Sequence, residues 1–492
     1  MSVLGVELGS TRIKSVIISE NFRVLSSGNT NWENKLSGGY WTYSLEDVWD
    51  GLRQSISQLD GLENVSAAGL SAMMHGYLAF DRDGRLLAPF RTWRNTTTAR
   101  AARELTDLFG FNIPQRWSVA HLYQAFLDGE DHVKDIACVT TLAGYVHWKL
   151  TGEKVLGIGD ASGMFPIKDG AYNPEFAGKF YQKTGIDISK IFPKILLAGE
   201  AAGNLTEEGA KLLGGLIKAG TPFCPPEGDA GTGMVTTNSV VRRSGNISAG
   251  TSIFGMLVLD RPLSRVYPEI DIVTTPEGAD VAMAHCNNCT GDIDAWINLF
   301  LEISPLEKSA LYDFFYDRAL EGANDCGGVI TCNYISGEQI TGLAEGRPLA
   351  ARLPGADFTF ANFARSLLYS SIATLKIGFD VMKAEGVKID RLCGHGGLFK
   401  SGETGALFLA SALGADVTVM ESAGEGGAFG IAVLASYLGR NESLPEYLDS
   451  HVFRYNSHYT KRPDSAVSEG FGAYLKKYQA LIEVEKKSVE VL

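Results

Sequence analysis

The chain opens on an apolar run, Val3 to Leu8, that halts at Gly9-Ser10-Thr11 and resumes from Ile13 to Ile18. A strand-length run that ends at glycine is a strand stop, so the stretch reads as strand, tight turn and second strand. The turn offers backbone N–H groups and two hydroxyls, with Arg12 and Lys14 just behind them. Glycine lets a backbone approach a ligand closely, and hydroxyl, N–H and cationic groups together suit phosphate oxygens. An ordinary hairpin reads the same on this peptide alone. A second copy narrows the choice of fold. Gly245 to Leu259 repeats the pattern, with Gly250-Thr251-Ser252 where the first copy has Gly9-Ser10-Thr11. Two such hairpins imply a duplicated architecture with a polyphosphate held between its halves.

Bulk properties fit such a chain. At 492 residues it exceeds one hydrophobic core, so two or three domains are expected. Apolar content of 45% and charged content of 21% are those of a soluble globular protein. The net charge of −13 argues against nucleic acid as a partner, though not against ATP, which a local cluster of N–H groups and cations can hold. No apolar run is long enough to span a membrane, and Glu7 and Arg12 interrupt any signal-peptide core, so a cytoplasmic protein is expected. Seven cysteines, an odd number in a long chain, do not make a disulfide framework, and Cys286-Asn287-Asn288-Cys289 has no second ligand pair nearby for zinc.

Along the chain, Phe22–Asn31 reads as a third strand. Ser44 caps a helix over 45–53, with Asp47 as the answering acid, and Val65–Leu70 is a strand that leads into Met73-Met74-His75-Gly76. Asp81–Arg85 is a hairpin turn. Helices are expected at 99–108, 118–127, 140–151, 210–220, 295–301, 360–384, 406–413 and 471–484, and strands at 329–334 and 391–393. The proline-dense Thr221–Pro226 leads to Gly228-Asp229, and a hinge is placed near 235–243. Asp160, an acid in a small-residue loop, reads as a turn cap.

Four motifs stand in order: Gly9-Ser10-Thr11, Gly228-Asp229-Ala230-Gly231-Thr232-Gly233, Gly394-His395-Gly396-Gly397, and Glu425-Gly426-Gly427-Ala428-Phe429-Gly430. In that order and spacing, from residue 3 to about 440, they resemble the FGGY carbohydrate kinases of the actin, hexokinase and Hsp70 ATPase superfamily. The resemblance implies an α/β fold of two duplicated, ribonuclease H-like domains around a central cleft. It implies an N-terminal domain over 1–240, a C-terminal domain over 241–440 and a helical tail over 441–492. It also implies an ATP-dependent, Mg²⁺-requiring transfer to a small sugar or polyol, with no nucleic acid or membrane partner and room for a homodimer.

Site residues follow from the same resemblance. Asp229 matches the family's catalytic base; on its peptide alone it reads as an Asp in a glycine-rich turn. Met74, His75, Trp93 and Arg94 fall on the sugar-pocket segments, where residues alone suggest a structural histidine and a core tryptophan. Relatives carry Trp-Asn-Asp where this chain has Trp93-Arg94-Asn95, so the sugar is left open. Gly9, Ser10, Thr11, Lys14, Gly250 and Thr251 would hold the ATP phosphates. Gly337, in a Ser336-Gly337-Glu338 turn followed by Gln339 rather than Arg, would lie at the nucleotide with Gly396, Gly397 and Lys400. Glu7, where relatives have Asp, and Asp229 would face the metal. The Asp160-Ala161-Ser162-Gly163 segment resembles pentulose kinases. A nucleotide-gated protein of the Hsp70 or actin type and a glycerol- or erythritol-type kinase are the alternatives.

Overall fold

The computed structural model describes residues 2–420, 426–454 and 458–492; Glu425 of the last glycine-rich motif lies outside them. The chain divides into two units. The first comprises Met1–Val240, Asp271–Val281 and Glu425–Tyr455, and the second Val241–Ile270, Ala282–Gly424 and Asn456–Leu492. Neither is a single run of sequence.

The first unit is built on a five-stranded sheet in the order Glu227–Gly228, Val65–Ala72, Ser2–Leu8, Arg12–Ser19, Val24–Asn31. Ser2–Leu8 pairs antiparallel with Arg12–Ser19 and parallel with Val65–Ala72. Leu4, Val6, Leu8, Ile13 and Ile17 enter a core with Val48, Leu52 and Ile56 of the helix Leu45–Ile56. Ser44 caps that helix by accepting the N–H groups of Glu46 and Asp47, but the acid that answers its hydroxyl is Glu46, at 2.6 Å, and not Asp47. The helix expected at 210–220 is instead Glu207–Leu212. Gly214 and Gly215, both at positive φ, end it, a conformation that side chains resist.

The second unit repeats the motif. Ser244–Ala249 pairs antiparallel with Ile253–Val258 and parallel with Arg391–His395, which continues to Val417–Met420 and then antiparallel to His458–Lys461. In both units a hairpin's first strand thus lies between its own return strand and a parallel strand from much later in the chain. The helices Phe360–Ala384 and Ser465–Val491 pack in this unit, joined by Tyr474, whose hydroxyl donates to the carbonyls of Thr331 and Ser366, both at 3.0 Å. The last helix is longer than the expected 471–484 because Asp464 caps it by accepting the Val467 N–H at 2.9 Å. All seven cysteines are buried and outside any disulfide, and burial pushes up the thiols of Cys138, Cys224, Cys286, Cys289, Cys326 and Cys332. No helix among the described residues is long and apolar enough to cross a membrane.

The helix Gly426–Ser436 explains its own glycines. A Cβ on Gly430 would stand 2.2 Å from the Thr232 carbonyl oxygen on the helix Asp229–Thr236, and one on Gly5 would stand 2.0 Å from the Ala428 carbonyl oxygen. By contrast Gly472, also helical, has nothing within 4 Å of its missing Cβ. The two positions should therefore respond oppositely to alanine. Gly472→Ala should raise stability by up to about 1 kcal/mol through helix propensity. Gly430→Ala should lower it by about 1–3 kcal/mol or more, because overpacking against backbone outweighs that gain. Thermal and urea unfolding of the two variants reads both signs, and equal responses would refute the packing account.

Candidate active site

The strand Val65–Ala72 ends in a sharp reversal, with His75 at φ +70° and Gly76 at φ +96°. A side chain on Gly76 would meet the Phe90 ring at 2.8 Å. The reversal presents the Met74 N–H to Asp229 Oδ1 at 3.0 Å. Asp229 reaches that spot because Glu227–Gly228 runs parallel to the end of the same strand, Glu227 opposite Ser71, and Asp229 then begins the helix Asp229–Thr236. Its surface is open to solvent, yet protein surrounds the carboxyl densely enough that desolvation raises its pKa. The N–H groups of Met74, Ala230 and Asp229 itself oppose that rise.

His75 is buried, and both ring nitrogens have protein partners. Nδ1 lies 3.1 Å from the Gly163 carbonyl oxygen, and Arg116 Nε donates to Nε2 at 3.2 Å. These two bonds assign the proton to Nδ1. The ring stacks on Trp117 at 6.3 Å and 20°. Arg116 also pairs with Asp271, which accepts a further bond from Asn112 Nδ2 at 3.0 Å. Desolvation raises the Asp271 carboxyl and Arg116 opposes it. Arg116, Asp271 and Asn112 are site residues that the sequence did not mark. Trp93 and Arg94 are exposed, with the Arg94 guanidinium 3.9 Å over the Trp41 ring. Beneath them Asn95 clasps Trp41 by two backbone bonds, both at 2.8 Å.

Three more acids surround Asp229. Asp160 is buried and caps no turn, contrary to expectation: it accepts the Thr141 hydroxyl at 2.6 Å, and its other oxygen has no partner among the described residues. Burial holds it well above the usual carboxylate range. Glu227 accepts the N–H groups of Gly159 at 3.2 Å and Asp160 at 2.9 Å, in a cradle where a Cβ on Gly157 would stand 2.2 Å from its carboxylate. Glu7, opposite Lys14 in the first hairpin, accepts N–H groups of Gly427 and Ala428, while burial and the charge of Asp229 push it up to about 7. Among the described residues, no group of three or more His, Cys, Asp or Glu side chains could hold a metal ion.

The second unit brings together most of its expected nucleotide residues. Gly396, at φ +104°, lies so close to the first strand that a Cβ would stand 2.3 Å from the Ala249 carbonyl oxygen, next to Gly250. The segment Asn287–Thr290 ties the Gly250–Ser252 turn to Ser336-Gly337-Glu338. Asn287 Nδ2 donates to Gly337 at 2.8 Å, Ser336 N–H donates to Asn288 Oδ1 at 3.1 Å, and the Glu338 carboxylate accepts Asn287 N–H at 2.9 Å. Glu338 is fully buried, with one oxygen unpartnered among the described residues, and burial pushes its pKa up to about 7. Gly397 and Lys400 are the exposed ends of a single turn after Arg391–His395 whose Leu398 and Phe399 are buried.

Comparison with known proteins agrees over most of the chain. The FGGY carbohydrate kinase N-terminal domain matches residues 2–236, and its C-terminal domain matches residues 245–438. A xylulose kinase of Haemophilus influenzae is 23% identical over 422 residues, covering 81% of this chain and 83% of the relative. Among solved structures, a ligand-bound xylulose kinase from Lactobacillus acidophilus superposes with a TM-score of 0.82 at 17% identity, covering 98% of both chains. A gluconate kinase from the same organism gives 0.83 at 16% identity, also with 98% coverage of both.

The buried Glu338 generates a pH dependence with a definite sign. Its folded pKa of about 7 lies above the unfolded value of 4.5. Stability from this group is therefore fully present below pH 4.5 and lost as pH rises to 7. The loss is on the order of 3 kcal/mol at most. Glu338→Gln, neutral throughout, should lack this component. Urea midpoints of both proteins across that range should converge or cross toward neutrality, and a constant difference would refute the assignment.

Proposed function

The chain belongs to the FGGY family of carbohydrate kinases, and we propose that it phosphorylates a primary hydroxyl of a ketose or polyol, with a pentulose such as xylulose or ribulose as the first candidate. That it is an ATP-dependent carbohydrate kinase follows from the family. The observation that carries the finer reading is the Met74 N–H to Asp229 bond. It fixes a solvent-facing carboxylate beside a buried, polar-tethered histidine, at the first residue of a helix. In this reading Asp229 takes the proton of the attacking hydroxyl, and a carboxyl raised above its usual range is the better acceptor. Phosphoryl transfer asks little else of a protein beyond positioning and stabilisation of phosphate charge.

Within that reading, both ring nitrogens of His75 are engaged by Gly163 and Arg116, so His75 shapes the sugar pocket, and Arg116 supplies guanidinium donors beside it. Met74 holds Asp229 in place. Trp93 and Arg94 border the sugar. Gly9, Ser10, Thr11 and Lys14 in one unit, and Gly250 and Thr251 in the other, bind phosphate; Gly337, Gly396, Gly397 and Lys400 attend the rest of the nucleotide. A Mg²⁺ ion would arrive with ATP and neutralise phosphate charge. Glu7 and Asp229 fit it only as outer partners, since backbone N–H groups already bond to both carboxylates and, among the described residues, no third His, Cys, Asp or Glu side chain joins them.

A panel of xylulose, ribulose, hexuloses, gluconate, glycerol and erythritol in a coupled ADP assay tests the substrate. Turnover on glycerol or erythritol alone would replace the pentulose reading with a polyol one. Asp229→Asn tests the base. It should lower kcat by about 10²–10⁴-fold, with ATP affinity and folding kept, because the lost interaction belongs to the transition state. A variant retaining more than about a tenth of the wild-type rate would remove Asp229 from that role.

A further inference from the structure

The Gly9-Ser10-Thr11 turn is held by its carbonyl oxygens. Trp32 Nε1 donates to Gly9 O at 2.7 Å, the Tyr43 hydroxyl donates to Ser10 O at 2.5 Å, and the Trp32 backbone N–H donates to Thr11 O at 3.2 Å. The two rings stack on each other at 4.1 Å and 22°. Both are placed by regular elements: Trp32 directly follows the strand Val24–Asn31, and Tyr43 directly precedes the cap of the helix Leu45–Ile56. Inside the turn, Gly9 N–H donates to Arg12 O at 2.9 Å. The N–H groups of Ser10 and Thr11 donate to no protein acceptor among the described residues, and both residues are exposed.

The second turn reaches the same state with none of the same residues. Gly250 O accepts Thr290 N–H at 3.1 Å and the Thr290 hydroxyl at 2.7 Å. Thr251 O accepts Cys289 N–H, and Ser252 O accepts Gly250 N–H, both at 2.9 Å. Here too the N–H groups of Thr251 and Ser252 are left without a protein acceptor among the described residues.

A short exposed turn can flip its peptide planes, and a carbonyl oxygen turned outward repels an anion. Tying every carbonyl inward removes that alternative and leaves the positive edge outward before any ligand arrives. We propose that Trp32 and Tyr43 are positioning residues for phosphate: they bind no ligand themselves, but lock the amide edge of the Gly9–Thr11 turn toward the ATP phosphates. The inference rests on the assignment of that turn to phosphate, so the test must separate the two.

Titration calorimetry with ATP and with adenosine, on the full chain, does so. Tyr43→Phe keeps the ring stack and deletes one hydroxyl; Trp32→Phe keeps an aromatic ring and deletes the indole donor. Each should weaken ATP by about 3- to 10-fold, the size of one net hydrogen bond, and leave adenosine within about twofold. The melting temperature should move by no more than about 4 °C. A purely structural role predicts a lower melting temperature with equal effects on ATP and adenosine, and that result would overturn the proposal. So would unchanged ATP affinity in both variants while Thr11→Val or Ser10→Ala weakens it. Unchanged ATP affinity in all four variants would overturn it as well, and wild-type binding of ATP no tighter than adenosine would remove the phosphate assignment itself. Should one aromatic variant not fold, the other carries the test.

Discussion

Backbone contact between one glycine-rich helix and the first sheet sets most of what surrounds the candidate site. The helix Gly426–Ser436 lies on Ser2–Leu8 and Val65–Ala72 at Gly5 and Gly69, and on Asp229–Thr236 at Gly430. At such distances no side chain fits between the elements, so their relative positions are set by backbone volume and not by rotamers. Three consequences share this cause. The helix start supplies N–H groups to Glu7, the Thr236 hydroxyl reaches Gly426 O at 2.9 Å, and the helix that begins with Asp229 has one height above the sheet. The close approach also brings sequence beyond residue 425 into a unit whose sheet comes from the first 230 residues.

The acids gathered there live on backbone amides more than on cations. Glu7 takes amides from the start of Gly426–Ser436, Glu227 from the short helix Ile158–Ser162, and Asp229 from Met74 and its own helix start. A helix start is a partial positive charge fixed by the fold, and it cannot swing away as a lysine can. Arg116 pairs with Asp271 and donates to His75. The site thereby gathers acidic groups with little mobile counter-charge, and burial raises each of their pKa values.

Much of the fold was legible in the sequence, and for physical reasons. The paired hairpins, the helix Phe360–Ala384 and the strand into the Gly396 loop all follow from local periodicity and glycine stops, which act within a few residues. What escaped depends on partners far away in the chain. Arg116 meets Asp271 across 155 positions, so neither side chain advertises its role in its own neighbourhood. Asp160 read as a turn cap because its neighbours are small; Gly159 is small because Glu227 needs the room, and Gly163 because His75 does. Trp32 and Tyr43 carry no mark in the sequence, since the acceptors they serve are backbone oxygens, which no sequence displays.

The buried thiols give the molecule a built-in clock. All seven cysteines lie inside, two in the first unit and five in the second, each screened from water. Six of them are further held in the unreactive protonated form by burial. An alkylating reagent can then modify a cysteine only when its surroundings open, so the rate at which each one is tagged reports the local opening around it. Cys138 and Cys224 report on the first unit, and Cys286, Cys289, Cys326, Cys332 and Cys393 on the second. Without any added label, the native chain thus carries separate timers for the loosening of its two halves.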